Sequence, residues 1–273
     1  MNIGYNNVEV IFMHETEANR QAWGKLSKDH FERFDRGLKD GTKKLNPLVE
    51  QQLGNLRGKK VLHLQCNTGA DSILLAKQGA DVTAVDFVED NIRFAQELAR
   101  RNNADVRFIC RDVQTLDEVL DEAFDLVITF DGVLGWLFDL PRWAKNIAKF
   151  LKPDGELFVH DGHPYYLVFD ETKIKDGILE VKYPYFNETL EVDTMIGGYA
   201  SDEKEAVNYF RSHKMSDIIN ALADAQLFVT RFLEFDRCDE GMGGDTKDDR
   251  GLMYLKHFEG KLPVGYSLWA VRR

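Results

Sequence analysis

Cysteine is scarce in this 273-residue sequence: Cys66, Cys110 and Cys238 are widely spaced and odd in number. Such a set predicts neither a disulfide framework nor a CxxC metal site, so we expect no metal and three free, buried thiols. A chain of this length buries enough apolar surface to fold without disulfides or metal. Free thiols are typical of a reducing compartment, which predicts a cytoplasmic protein.

Long apolar runs and an excess of basic residues are also absent. No stretch reaches the ~18 apolar residues of a membrane helix, and the first residues, MNIGYNNVEVIFMHE, lack the basic and apolar regions of a secretory signal. Thirty-five Lys and Arg stand against 46 Asp and Glu, giving a formal net charge of −11. Nucleic-acid binding usually requires a basic surface. We therefore expect no nucleic-acid or membrane partner, and the charge mildly favours a neutral or cationic ligand.

From about residue 58 to 162, short apolar segments alternate with helical periodicity. Strands are predicted at 61–66, 82–87, 106–112, 124–130 and 156–161, with helices at 69–78, 89–102, 115–122 and 141–150. Near-continuous apolar strands separated by helices predict a parallel sheet covered on both faces. After a helix near 213–225, the segments 227–235 and 265–273 predict an antiparallel pair at the sheet edge. The expected fold class is thus α/β, with a doubly wound, mostly parallel sheet and a C-terminal antiparallel hairpin.

Three regions depart from this alternation. Residues 1–57 predict a helical N-terminal cap, and 58–273 the main domain. Within that domain, 163–212 predicts a β-rich insertion over the sheet, with 178–186 and 188–194 as an antiparallel pair. The polar, glycine-rich stretch 236–251 misses the spacing of a calcium loop and predicts a mobile, solvated loop.

The first turn of the predicted sheet, HLQCNTGADS (63–72), is the first candidate site. It has Gln65 and Asn67 where a dinucleotide-binding turn has glycines, and these side chains would crowd a pyrophosphate. They suit a cofactor that presents a ribose and an amino acid instead. Asn67 tolerates the left-handed backbone that a tight turn needs.

Two further carboxylates follow the next two strands. Asp86 can accept hydrogen bonds from ribose hydroxyls, and Asp112 can accept from an adenine amino group while the Val113 N–H contacts a ring nitrogen. Each aspartate alone fits a solvated loop or a helix N-cap equally well. Their occurrence at successive strand ends favours a nucleoside site.

The segments VLHLQCNTGADS, AVDF, CRDV, FDLVITFDGVLGWL and LKPDGELFV resemble, in order, the class I S-adenosylmethionine-dependent methyltransferases. The resemblance covers about residues 58–162, and the two late strands match the hairpin that closes the family's sheet. HLQC, GVLGWL and His163-Pro164 resemble a bacterial small-molecule subgroup. The resemblance implies a Rossmann-like fold, S-adenosylmethionine as cofactor, and methyl transfer to an O-, N- or C-nucleophile of a small molecule.

The resemblance also implies which residues bind the cofactor. The turn 64–69 would line its methionine end, Asp86 its ribose, and Asp112 with Val113 its adenine. The residues implied in this way are His63, Leu64, Gln65, Cys66, Asn67, Gly69, Asp86, Phe87, Asp112, Val113, Phe130 and Asp131. The family usually has an acid at position 63, which helps to hold the cofactor's ammonium group, and glycines at 65 and 67. Here these positions are His63, Gln65 and Asn67.

Methyl transfer needs a general base only if the acceptor must lose a proton. His163 is the first candidate because histidine titrates near neutral pH, and Asp131, Tyr165, His160 and Asp161 are the others. His163 can equally serve to fix the turn before Pro164. Within its predicted strand, His160 is expected to be a packed residue.

Aromatic residues are the candidates for the acceptor site, since aromatic rings stabilise cations. The substrate candidates are Trp23, Trp136, His163 and Tyr166. The helix that carries Trp23 predicts either a cover over the cofactor or simple packing on the sheet edge. The aromatic insertion likewise predicts either an acceptor wall or a small core of its own.

Two other functions remain open from the sequence. A nicotinamide-dependent oxidoreductase uses the same layered architecture, although residues 65 and 67 count against it. A non-catalytic S-adenosylmethionine-binding protein would be consistent with His63. The oligomeric state, monomer or homodimer, is also left open.

Overall fold

The computed structural model describes residues 13–186 and 189–272. The strands of these ranges are β1 Lys60–Leu64, β2 Asp81–Asp86, β3 Val106–Cys110, β4 Phe124–Phe130, β5 Leu151–Gly162, β6 Glu191–Ile196, β7 Lys204–Phe210, β8 Leu227–Phe235, β9 Thr246–Lys247, β10 Met253–Tyr254 and β11 Gly265–Arg272. The α-helices are α1 Met13–Asp40, α2 Pro47–Leu53, α3 Ala70–Lys77, α4 Glu89–Arg101, α5 Leu140–Phe150, α6 Glu171–Ile174 and α7 Met215–Asp224. Short 3₁₀ helices span Val113–Glu118, Leu134–Trp136, Tyr166–Val168 and Lys256–Phe258.

The main sheet has seven strands in the order β3-β2-β1-β4-β5-β11-β8. Strands β1 to β5 are parallel, and β11 runs antiparallel between β5 and β8. This order confirms the predicted doubly wound sheet with a C-terminal antiparallel hairpin. The carboxyl ends of β1 to β4 therefore lie side by side, which is where ligands bind in sheets of this type.

Two apolar cores cover the faces of this sheet. One contains Leu62, Trp143 and Phe150, and the other contains Val61 and Phe158, all of them fully buried. Successive strand residues therefore point to opposite faces and are buried on both. This explains why the strands are nearly continuous apolar runs in the sequence.

Within the predicted cap, the described residues 13–57 contain α1 and α2, and α1 packs against α4 and β7. The side chain of Asn19 donates to the Tyr209 carbonyl at 2.8 Å and accepts from the Tyr209 N–H at 2.7 Å. Ser27 donates to Asn91 of α4 at 2.6 Å. Helix α1 and the β6–β7 ribbon thus form one cover over the sheet edge.

The predicted strand pair of the insertion is wrong. The observed ribbon pairs β6 with β7, while 178–186 forms only an isolated bridge, Val181 with Phe169. Residue 188, the first of the predicted second strand, and residue 187 before it lie outside the described residues. Pro184 supplies no N–H to a ladder, and the segment instead bonds to residues 168 and 170.

The stretch 236–251 is not a solvated loop throughout. Cys238 is fully buried, Met242 is buried, and β9 within the stretch pairs with β10. Arg237 forms ion pairs with Asp236 and Asp248, so these two of the carboxylates that suggested solvation have a partner. Another prediction is corrected at Cys110, which is exposed, whereas Cys66 is buried as expected.

Among the described residues, the longest helices lack the apolar length that crossing a membrane would require.

Candidate active site

The turn after β1 has an unusual backbone. Gln65, Asn67 and Gly69 all have positive φ angles, of 54°, 51° and 76°. At Gly69 the left-handed backbone coincides with tight packing, since a Cβ would lie 2.8 Å from both the Ala95 methyl and the Phe108 ring. Glycine is therefore required there so that α4 and β3 can approach the start of α3.

The carboxylate of Asp86 joins this turn to the end of β2. One oxygen accepts from the Asn67 N–H at 2.9 Å, and the other accepts from the Val88 N–H at 3.0 Å and the Asn91 amide at 3.1 Å. Burial raises the pKa of Asp86 to about 6, although these bonds oppose the shift. An ionised carboxylate offers about four acceptor positions, so a ligand hydroxyl can still donate to it.

Asp112 lies at the neighbouring strand end, beyond β3. Its carboxylate accepts from the Gln114 N–H at 2.8 Å and caps the 3₁₀ helix. Burial raises the pKa of Asp112. The Val113 carbonyl is held by the Asn146 amide at 3.1 Å, which fixes the Asp112–Val113 backbone beside the site.

His63 lies beneath the turn, fully enclosed. Its ring stacks on Phe130 with centroids 4.8 Å apart, and its Nδ1 lies 2.8 Å from the Ser72 hydroxyl. Burial lowers the pKa of His63 to about 4, so the ring is neutral at neutral pH. Position 63 therefore contributes packing and provides no charge for a ligand ammonium.

Gln65 connects the turn to the segment after β4. Its amide donates to the Val133 carbonyl at 2.9 Å, and its carbonyl accepts from the Thr129 hydroxyl at 3.3 Å. From the other side, the buried Asp161 carboxylate accepts from the Val133 and Leu134 N–H groups at 3.1 and 2.8 Å. These bonds hold the segment that follows Asp131 in place.

Asp131 directly follows β4 and has a positive φ of 69°. Its carboxylate accepts from the Asn46 amide at 2.9 Å. Burial, followed by the nearby charges of Asp239 and Asp71, raises the pKa of Asp131 well above its usual value. A carboxyl with a raised pKa keeps its proton to higher pH than a surface aspartate does, and it binds a proton more readily when ionised.

A charged cluster adjoins Asp131 that the sequence did not indicate. It contains Lys43, Asp71, Asp239 and Tyr199, and Lys43 forms a 2.6 Å ion pair with Asp71. These residues come from four distant segments. Only Asp71, which lies inside the first turn motif, could have been singled out from a local pattern.

His163 has both ring nitrogens engaged. Its Nδ1 accepts from the Tyr165 N–H at 3.1 Å, which places the proton on Nε2, 3.1 Å from a Glu234 oxygen. Burial lowers the pKa of His163, although Glu234 opposes the shift. This geometry matches the turn-fixing alternative. The ring of Tyr165 is exposed and packs edge-on against Phe169.

Two of the aromatic substrate candidates are in contact. Trp23 and Trp136 meet edge to face with centroids 5.1 Å apart, and Trp136 also contacts Phe210 of the ribbon. In the same helix as Trp23, His30 reaches the turn, with Nδ1 3.1 Å from the Asn67 side-chain oxygen. Helix α1 thus covers the turn after β1.

Two other predicted residues pack away from this contact. Tyr166 is buried in a small core with Cys238 and Met242, and its hydroxyl accepts from the Gly244 N–H at 3.3 Å. His160 is fully buried within β5, as predicted, and contacts the Ser267 hydroxyl at 2.8 Å.

Comparisons with known proteins agree with this geometry. Residues 61–155 match a family model described as "Methyltransferase domain". A ubiquinone biosynthesis O-methyltransferase of Coxiella burnetii is 37% identical over 118 residues, 42% of this chain and 49% of that protein. The chain thus spans about half the length of that relative. An uncharacterized methyltransferase of Bacillus subtilis, YbaJ, is 29% identical over 185 residues, 66% of this chain and 69% of that protein.

Among solved structures, an S-adenosylmethionine-dependent methyltransferase from Mesorhizobium loti superposes with a TM-score of 0.59 at 16% identity. The superposition covers 83% of this chain and 96% of that one. The sheet order, the strand-end site and the family match define a methyltransferase fold. Residues 61–155 thus match a methyltransferase domain, and the chain has the fold of S-adenosylmethionine-dependent methyltransferases of solved structure, as the sequence resemblance implied.

Proposed function

We propose that this protein binds S-adenosylmethionine and transfers its methyl group to an O-, N- or C-nucleophile of a small-molecule acceptor. The observation that carries the proposal is that Asp86, the turn 65–69 and Asp112 lie side by side at the carboxyl ends of β1, β2 and β3, within a methyltransferase domain.

The residues at this edge fit the cofactor chemically. Asp86 and Asp112 offer acceptors to ribose hydroxyls and to an adenine amino group, which are donors. Beside them, the Thr68 hydroxyl and the His30 Nε2 atom are buried without a hydrogen-bond partner among the described residues. Buried polar atoms of this kind are costly unless a ligand or water satisfies them.

The same edge disfavours a nicotinamide dinucleotide. A pyrophosphate needs bare backbone at the turn, whereas Gln65 and Asn67 place side chains there. These two side chains favour the methyltransferase over the oxidoreductase alternative.

The sulfonium of the cofactor supplies an already activated methyl group, so the chain's main contribution is alignment and exclusion of water. Helix α1 and the β6–β7 ribbon cover the edge, and Trp23 and Trp136 contribute an aromatic wall. For acceptors that must lose a proton, Asp131 is our proposed base, because its pKa is raised and it lies at the strand end. We assign His163 a positioning role in the turn that carries Tyr165.

We also propose the division into a cap, 1–57, and a methyltransferase domain, 58–273, with 163–212 covering the acceptor. Tyr165 and Tyr166 belong to that segment, Tyr165 facing outward and Tyr166 supporting it from its small core. The three free cysteines support a cytoplasmic location. A homodimer is compatible with this proposal, as is a monomer.

The test is calorimetric titration with S-adenosylhomocysteine, the demethylated product, and separately with NAD. The proposal predicts saturable binding of the former and none of the latter. Binding of NAD alone would support the oxidoreductase. If S-adenosylhomocysteine binds but labelled methyl groups reach no member of a broad phenol, amine and carbon-acid panel, the non-catalytic alternative is favoured.

A further inference from the structure

The charged cluster beside the turn, Lys43 with Asp71, Asp239 and Tyr199, makes none of the cofactor contacts proposed above. Lys43 follows α1, Asp71 lies in the first turn of α3, Tyr199 follows β6, and Asp239 follows β8. Lys43 and Asp71 form a 2.6 Å ion pair in which both side chains are about four-fifths buried. The cluster therefore lies directly beside Gly69, at the end of the turn.

The segment 239–242, which follows β8, packs against this cluster. A Cβ on Gly241 would lie 3.0 Å from the Tyr199 ring, and one on Gly132 would lie 3.5 Å from the Met242 side chain. Arg33 of α1 joins both parts, donating to the Tyr199 carbonyl and to Glu240. The three residues that follow Asp239 thus tie it to α1, Tyr199 and the segment after β4, and the Asp239 carboxylate lies close enough to act electrostatically on both Lys43 and Asp131.

The charges of the cluster are unequal. One lysine faces three carboxylates, since Asp71, Asp131 and Asp239 together raise the pKa of Lys43 although burial opposes its charge. Burial raises the pKa of Asp239 to about 6. Lys43 has three donors, one of them used by Asp71, so it can hold a further anion. A further cation beside Asp239 would stabilise the ionised form of its carboxylate.

A ligand that carries one anionic and one cationic group a few ångströms apart can pair with Lys43 through the first group and with Asp239 through the second. Resting on the proposed function, we propose that Lys43 binds the carboxylate and Asp239 the ammonium of the cofactor's amino-acid end. The cluster then supplies the acidic contact that neutral His63 does not. The proximity of Asp71 to Gly69 favours the cofactor over an amino-acid acceptor as the source of this zwitterion.

The test compares two ligands that differ in this group. S-adenosylhomocysteine carries the α-amino carboxylate, and 5′-methylthioadenosine lacks it. Lys43→Met should weaken S-adenosylhomocysteine binding about tenfold or more while changing methylthioadenosine binding less than about twofold. Asp239→Asn should give the same pattern, and Lys43→Arg should restore part of the preference. Lys44→Met, at an exposed neighbour, is the matched control.

Each outcome is decisive for the inference. If Lys43→Met weakens the binding of both ligands equally, or the binding of neither, then Lys43 does not bind the α-amino carboxylate and the inference is overturned. If that variant leaves both ligands unchanged but abolishes heat from free amino acids titrated into the S-adenosylhomocysteine complex, the cluster serves an amino-acid acceptor instead. If the unaltered protein binds neither ligand, the proposed function itself fails. Melting temperatures of all variants identify any loss of folding.

Discussion

The backbone N–H of Asn67 donates a hydrogen bond to the Asp86 carboxylate at 2.9 Å. This bond joins the turn after β1 to the end of β2, so a single side chain orders two parts of the proposed cofactor site. The turn needs such support because Asn67 holds a left-handed backbone conformation.

Replacing Asp86 with Asn tests its proposed ligand role. The amide keeps the size of the side chain but offers one acceptor oxygen in place of two, so S-adenosylhomocysteine affinity should fall about 10- to 100-fold by calorimetry. Asp81→Asn, at the exposed start of the same strand, should leave affinity unchanged. Equal affinities for the two variants would refute the ribose assignment.

Asp86 also predicts a pH dependence. Because its pKa is raised to about 6 from 3.8, the folded protein holds a proton that the unfolded chain has lost between those values. This contribution to stability is therefore present below about pH 4 and is lost as pH rises to 6. Ligand affinity should show the reverse trend, since ribose hydroxyls need the ionised acceptor.

Titrations and thermal melts of Asp86→Asn at pH 5, 6 and 7.5 check both trends. Relative to the unaltered protein, the variant should gain stability as pH rises through this range and lose the rise in S-adenosylhomocysteine affinity. Parallel profiles for the two proteins would mean that Asp86 does not titrate as described.

Gly69→Ala should destabilise the fold. The substitution adds backbone strain at φ +76° and places a methyl 2.8 Å from Ala95 and Phe108, which together should lower the free energy of unfolding by about 2–4 kcal/mol. Gly58→Ala is the matched control, because it has φ +75° but open space around it and should cost about 1 kcal/mol. Equal losses in urea unfolding would show that packing at Gly69 does not matter.

Arg33→Met should loosen the cover. Arg33 donates to the Tyr199 carbonyl and to Glu240, so its loss should speed hydrogen exchange about three- to tenfold in segments 197–202 and 239–243. Exchange in β1 should not change. Arg36→Met, at an exposed position of the same helix, serves as control. Unchanged exchange in both segments would show that Arg33 does not tie them together.

The sheet could be predicted because its strands are buried on both faces and are therefore apolar throughout, with turns between them. The insertion contains no continuously apolar strand of this kind. Its segment 178–186 is apolar and exposed in large part, with Phe186 80% accessible, and Pro184 prevents regular pairing.

The place of a candidate residue in the fold could be predicted where the residue lies at or just beyond the end of a parallel strand. Asp86 and Asp112 meet that condition, because parallel strands bring their carboxyl ends together. Lys43 and Asp239 do not, since only the tertiary fold brings them to the turn. The carboxylates of 236–251 suggested solvation because composition alone does not reveal partners such as Arg33 and Arg237.

A crystal structure of the protein grown with S-adenosylhomocysteine tests the central claim most directly. We predict that the ribose hydroxyls lie within hydrogen-bond distance of the Asp86 carboxylate and that the adenine lies beside Asp112 and Val113. A ligand bound elsewhere on the molecule, or a ribose that does not contact Asp86 at full occupancy, would contradict it.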